Sequence, residues 1–125
     1  MADDPYNLQR FVDAQDRVYE RVLTELTYGR KTSHWMWFIF PQIAGLGFSA
    51  TARRYAITSL AEARAYLDHA VLGPRLLECL QLLLAVEGRT AEQILGGIDA
   101  MKFRSSLTLF DAARPEQAAF QDALK

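Results

Sequence analysis

With one cysteine, Cys79, among its 125 residues, the chain can form no internal disulfide. Cys79 lies in a strongly apolar stretch, where a thiol is expected to be a small buried hydrophobe rather than a nucleophile. Histidine is scarce too: His34 and His69 are the only two, and neither CxxC, HExxH nor a dense acidic loop occurs. No metal and no cofactor are therefore expected. GxxxxGK[ST], GxGxxG and GxSxG are all absent, and Gly45-Leu46-Gly47 alone is too short a signal for a phosphate loop. Alternating apolar-polar runs, Asn-Gly turns, repeats and low-complexity tracts are missing, which argues against a β architecture or an array. No apolar run reaches the roughly 20 residues that a bilayer requires, so no membrane partner is expected. Without a cationic start followed by an apolar run no secretory signal is read, and cytoplasm is the default compartment. A net charge of −1 supplies no whole-molecule field, so nucleic acid is not an expected partner.

What the chain does have is concentrated between Lys31 and Ile43, KTSHWMWFIFPQI, which holds both tryptophans, Trp35 and Trp37. Phe38, Ile39 and Phe40 follow them without a polar break. A helix apolar all round must be wrapped by other elements, so a short central helix is expected from His34 to about Phe40, capped by Ser33 and stopped by Pro41. A second core helix is expected from Arg75 to Val86, where leucines cover most of the circumference.

The rest supplies short amphipathic helices with legible ends. Asp4-Pro5 reads as a helix start, with Leu8, Phe11 and Val12 on one face. Asp16 is expected to cap a second helix, ended by Gly29. Ser49 caps a helix carrying Arg53 and Arg54. Ser59 with Glu62 and Thr90 with Gln93 read as capping boxes. Asp99 is expected to cap a helix that buries Met101, Phe103, Leu107 and Phe110, and Ala119, Phe120 and Leu124 mark a last amphipathic turn or two. The expected fold is all-α: one helical domain over residues 1–125, an irregular array of seven to nine short helices around a buried aromatic helix.

Three groups of residues suggest a site. Lys31, Ser33 and His34, with Arg30, stand at the head of the central helix, where N–H groups and the dipole suit an anion. Otherwise Ser33 merely caps and the cations are solvated. Trp35, Trp37 and Gln42 suit an aromatic pocket that stacks a planar ring, or a core with satisfied polar tips. On a helix the two indoles lie about 200° apart, so at least one is structural. Asp99, Lys102, Ser105, Ser106 and Thr108 place hydroxyls inside a helical stretch, where they compete with the backbone, which suggests a helix end there or hydroxyls turned toward something polar. Two long stretches, Arg30 to Ala61 and Ala100 to Phe110, carry no Asp or Glu, although the chain holds 15 acids.

LQRFVDAQ, GRK with SHWMWFIFPQ and GLG, EARAYL, and K-x-R-S-S-x-T-L-F together resemble domain-of-unknown-function family 1810, over nearly the whole chain. Its signature positions fall at Gln15, Lys31, Ser33, His34, Trp35, Trp37, Pro41, Gln42, Lys102, Ser105 and Ser106. The resemblance implies a small, mainly helical, single-domain protein of bacterial type, without accepted catalytic residues. Its members commonly continue past the position of Lys125 with one more helical stretch. Some carry the label calpastatin, which suits a disordered inhibitor and not this apolar-rich chain.

Two functions compete. One is a site for a small anionic, partly aromatic ligand such as a nucleotide or an ADP-ribose-like compound, held by Lys31, Ser33, His34, Trp37, Gln42, Lys102 and Ser105. The other is a non-enzymatic interaction module using Arg53, Arg54 and the glycine loop. A cleft lined by Lys31, His34, Gln42 and Lys102 favours the first; a convex basic patch favours the second.

Overall fold

The computed structural model describes residues 3–124; Met1, Ala2 and Lys125 of the expected 1–125 domain lie outside the described residues. Among these, nine helices follow one another: α1 (Gln9–Asp16), α2 (Tyr19–Thr27), α3 (Met36–Ile39), α4 (Ala50–Arg54), α5 (Leu60–Asp68), α6 (Leu72–Ala85), α7 (Ala91–Leu95), α8 (Gly97–Ala113) and α9 (Ala118–Leu124). The fold is all-α, and the single extended contact among the described residues is a parallel bridge between Ile43 and Ile57. No helix is long and apolar enough to cross a membrane among the described residues.

The core is built around α6 and α8. α6 packs on α2 and α5, α8 packs on α5, α7 and α9, and α3 touches both α6 and α8. Two chains of aromatic rings run through it. Phe11, Tyr66, Phe110 and Phe120 link α1, α5, α8 and α9 at centroid spacings of 5.2, 5.3 and 5.8 Å. Trp35, Phe40 and Phe103 link the α3 segment to α8 at 6.5 and 4.9 Å. Such edge-on and tilted pairs add to what burial alone contributes.

Several helix ends differ from expectation. Asp4 receives the Leu8 and Gln9 amides at 2.7 and 2.9 Å, but α1 starts only at Gln9, because Asn7 takes the left-handed conformation and closes a turn first. Asp16 does not cap α2; it pairs with Arg75 at 2.8 Å. Ser49 accepts from the Ala52 amide, and Thr90 and Gln93 form a full capping box. Ser59 caps α5, yet Glu62 completes no box: its carboxylate turns to Thr58 and Arg10. α8 begins at Gly97, so Asp99 lies within the first turn rather than at the cap. His69 takes up an unexpected role, accepting the Val71 and Leu72 amides on Nδ1 at the head of α6.

Burial follows spacing. Phe103, Leu107 and Phe110 are buried, one stripe of α8. Met101, expected beside them, is 71 % exposed, since it sits about 200° around the helix from Phe103. Cys79 is fully buried, and burial pushes its thiol up to about 12. Ser106 on α8 is also fully buried, and its Oγ has no hydrogen-bond partner among the described residues. An unpartnered buried hydroxyl carries a desolvation cost that alanine avoids at nearly the same volume. Ser106→Ala is therefore expected to raise stability by up to about 1 kcal/mol in a denaturant titration; a loss of that size would mean the hydroxyl is bonded.

Candidate functional site

The expected helix from His34 to Phe40 is a single turn, Met36–Ile39, with Trp35 as its uncapped N-cap. Four of its side chains face the core: Trp35, Met36, Ile39 and Phe40 are at most 2 % exposed. Trp37 and Phe38 are half-buried, so the segment is a wall rather than a wrapped centre.

Ser33 does not cap this turn. The Thr32 and Ser33 amides and the Trp35 indole Nε1 all donate to Glu25 Oε1, at 2.8, 3.1 and 2.9 Å, while the Ser33 hydroxyl donates to Oε2 at 2.6 Å. The head of the aromatic segment does hold an anion, and that anion is the chain's own Glu25 carboxylate. Burial pushes this carboxyl upward, but the donors from Ser33, Thr32 and Trp35 outweigh burial and hold it at about 2.

Lys31 is likewise committed. Its Nζ lies 2.7 Å from Asp99 Oδ2 and 5.1 Å from the Trp35 ring centre, with a side chain only 7 % exposed. Lys102 reaches the other oxygen of Asp99 at 3.8 Å and stands 4.8 Å from the Trp37 ring centre. The two lysines thus converge, but on an acid that lies one residue before the second acid-free stretch. Lys102 is the one that keeps solvent access, with a side chain 28 % exposed.

Trp37, Gln42, Lys102 and Ser105 line one open cleft of about 570 Å³ between the Gln42–Ser49 loop and α8. Lys31, Ser33 and His34 do not line it; His34 is exposed to solvent. Ser106 points into the core, and the Thr108 hydroxyl donates to the Arg104 carbonyl at 2.9 Å. Sequence reasoning missed the apolar rim made by Leu46, Phe48, Ile98 and Met101, all more than half exposed. A signal for part of it was present: Ile98, Met101, Lys102 and Ser105 fall at i, i+3, i+4, i+7, a second face of α8. Trp37 and Gln42 also border a smaller cavity of about 180 Å³ on the α4 side.

A polar network supports the floor beneath α4. The Arg10 guanidinium donates to the carbonyls of Tyr6, Asn7, Arg54 and Ala56 and pairs with buried Glu62 at 3.0 Å. It ties α1 to the chain on either side of Tyr55. Among the described residues no group of three or more His, Cys, Asp or Glu side chains is placed to hold a metal ion. The cleft offers an ammonium, hydroxyls, an amide and an indole, which suit binding of an anionic, partly planar molecule.

A family model described as protein of unknown function (DUF1810) matches residues 5–125. The crystal structure of the conserved hypothetical protein Rv1873 from Mycobacterium tuberculosis is similar at 53% identity and a TM-score of 0.94, covering 97% of this chain and 86% of that one. No curated protein matches the chain.

Proposed function

The chain belongs to DUF1810, a family of proteins of unknown function, and on that premise we propose that the cleft between Trp37 and Lys102 binds a small anionic ligand with a planar apolar part, such as a nucleotide or an ADP-ribose-like compound. The observation that carries this reading is the meeting of Trp37, Gln42, Lys102 and Ser105, from distant parts of the chain, on one concave surface. Lys102 holds the anion, being the lysine of the Asp99 pair that solvent reaches. Ser105, Ser49 and Gln42 donate hydrogen bonds, and Trp37 with the rim supplies apolar area. Lys31 orders Asp99 from behind and does not touch the ligand.

Fluorescence titration tests this directly, because Trp35 is buried and Trp37 borders the cleft. ADP-ribose or ADP is expected to change the emission saturably, and more weakly as salt rises. Lys102→Ala should weaken binding about tenfold or more, the loss of one charge-assisted contact, with folding intact. No saturation at millimolar ligand, or equal binding by Lys102→Ala, defeats the reading.

A second reading has an observation of its own. Leu46, Phe48, Ile98 and Met101 are 55, 82, 74 and 71 % exposed around the same cleft. Contiguous exposed apolar side chains mark interaction surfaces. A non-enzymatic interaction module would use this rim to seat an apolar segment of a protein partner, and would give no response to nucleotides.

A further inference from the structure

We propose that the 180 Å³ cavity behind Trp37 is a separate binding site for a single six-membered aromatic ring bearing a carboxylate, a benzoate-type monocyclic acid. It lies between the Gln42–Gly47 loop and α4 and is bordered by Trp37, Gln42, Ala44, Arg53, Tyr55 and Ala56.

Its size selects the ring. A dry cavity of about 150 Å³ holds benzene; about 180 Å³ leaves room for one ring and little more. A purine nucleotide does not fit. Two aromatic side chains, Trp37 and Tyr55, stand on its border, and the methyls of Ala44, Ala52 and Ala56 keep it open. The loop can lie this close to α4 because position 47 is glycine: a Cβ there would meet Ala52 Cβ at 2.7 Å. The bridge between Ile43 and Ile57, with Ile57 N donating to Gln42 O and Ala44 N donating to Ile57 O, fixes the opposite edge.

Its charge selects the carboxylate. Among the described residues no Asp or Glu borders the cavity, and Arg53 does. Of the other arginines beside α4, Arg10 is spent on Glu62 and four carbonyls, and Arg54 stands 5.6 Å from the Tyr55 ring centre without bordering the cavity. Arg53 makes no such bond among the described residues and is exposed, so its planar fork is open to a bidentate carboxylate. The Gln42 amide, equally uncommitted among the described residues, borders the same space and offers a donor and an acceptor to ring substituents.

The test is a titration of the full chain with sodium benzoate, benzamide and 2-naphthoate, followed by amide chemical shifts in an ¹⁵N-labelled sample. Benzoate is expected to saturate with a dissociation constant on the order of 1 mM or below, as suits so small a ligand. The shifts should centre on Ala44, Tyr55 and Ala56. Benzamide should bind about tenfold more weakly and 2-naphthoate not at all. Arg53→Ala should reduce benzoate affinity about tenfold, to the level of benzamide. Ala56→Leu should abolish both by filling the cavity, and Ala44→Leu, at an exposed position, serves if Ala56→Leu fails to fold. Absence of saturation, benzamide binding as tightly as benzoate, or shifts centred on Ile98 and Met101 overturns the proposal. Benzoate carries no phosphate and its shifts map to a different wall, so this titration and the ADP-ribose titration fail or succeed separately.

Discussion

Glu25→Ala is expected to cost about 4 kcal/mol of stability, a large share of the 5–15 kcal/mol that holds a typical domain together. The substitution removes the acceptor of four donors at once: two amides, a hydroxyl and the Trp35 indole. Each buried donor left without a partner costs about 1–3 kcal/mol, partly offset where water enters. Trp35 is 1 % exposed and Glu25 7 %, so little water reaches the indole. The same carboxylate gives the protein an acid sensitivity of definite sign. Its folded value, about 2, lies below the ordinary 4.5. The resulting stabilisation is therefore complete above pH 4.5, and it is lost as pH falls through 2. The full shift corresponds to about 3 kcal/mol. Urea titrations at pH 7 and pH 3 should show Glu25→Gln flattening that part of the acid slope. A cost below about 1 kcal/mol for Glu25→Ala, under the cost of even one orphaned donor pair, shows that the cage is dispensable.

Gly73→Ala reverses the usual sign of a glycine-to-alanine change in a helix. In an open helix the substitution gains about 1 kcal/mol. Here the added Cβ would stand 2.1 Å from the Leu67 carbonyl oxygen and 3.0 Å from its carbon, both backbone atoms at the end of α5. No rotamer relieves that clash; α5 and α6 must separate. The move would strain the turn in which Gly73 N donates to the His69 carbonyl, and Val71 N and Leu72 N donate to the His69 ring. The expected loss is about 3 kcal/mol, at the upper end for overpacking. Gly88→Ala makes a control, since among the described residues nothing stands within 4 Å of a Cβ there. Its cost is confined to the backbone strain of a φ of 77°. If Gly73→Ala is as stable as the parent, the α5–α6 junction is looser than the structure has it.

The sequence carried the architecture because short helices announce their ends. Ser49, Ser59 and Thr90 cap where their spacing says they should. The leucine stripe of α6 is continuous enough to be read as core. The site was harder because absence of acids along the chain is not absence of acids in space. Lys31 sits in a long acid-free stretch, yet Asp99 reaches it from α8, and Ser33 turns to Glu25 on α2. Both acids lie just outside the stretches that looked purely basic. Trp35 and Trp37 illustrate what periodicity can do: their angular separation required different roles, and one is core while the other borders the cleft. Met101 shows its limit. α8 is apolar on two faces, the Phe103–Leu107–Phe110 stripe and the Ile98–Met101 rim. Its hydrophobic pattern therefore does not say which stripe meets the core.

The Glu25 cage has a consequence for the order in which the chain assembles. Glu25 and Trp35 are 10 residues apart, whereas Arg10 and Glu62 are 52 apart. Closing the longer loop costs about 1.5 kcal/mol more in chain entropy. The corner of α2 and the aromatic segment can therefore close early, from local contacts, and present a fixed indole to the rest of the chain. The Arg10 staple needs α1 and α5 already brought together, and the Lys31–Asp99 pair must wait until α8 arrives. Folding rate should then depend more on side chains in the α2 corner than on those in the cleft, whose walls meet last.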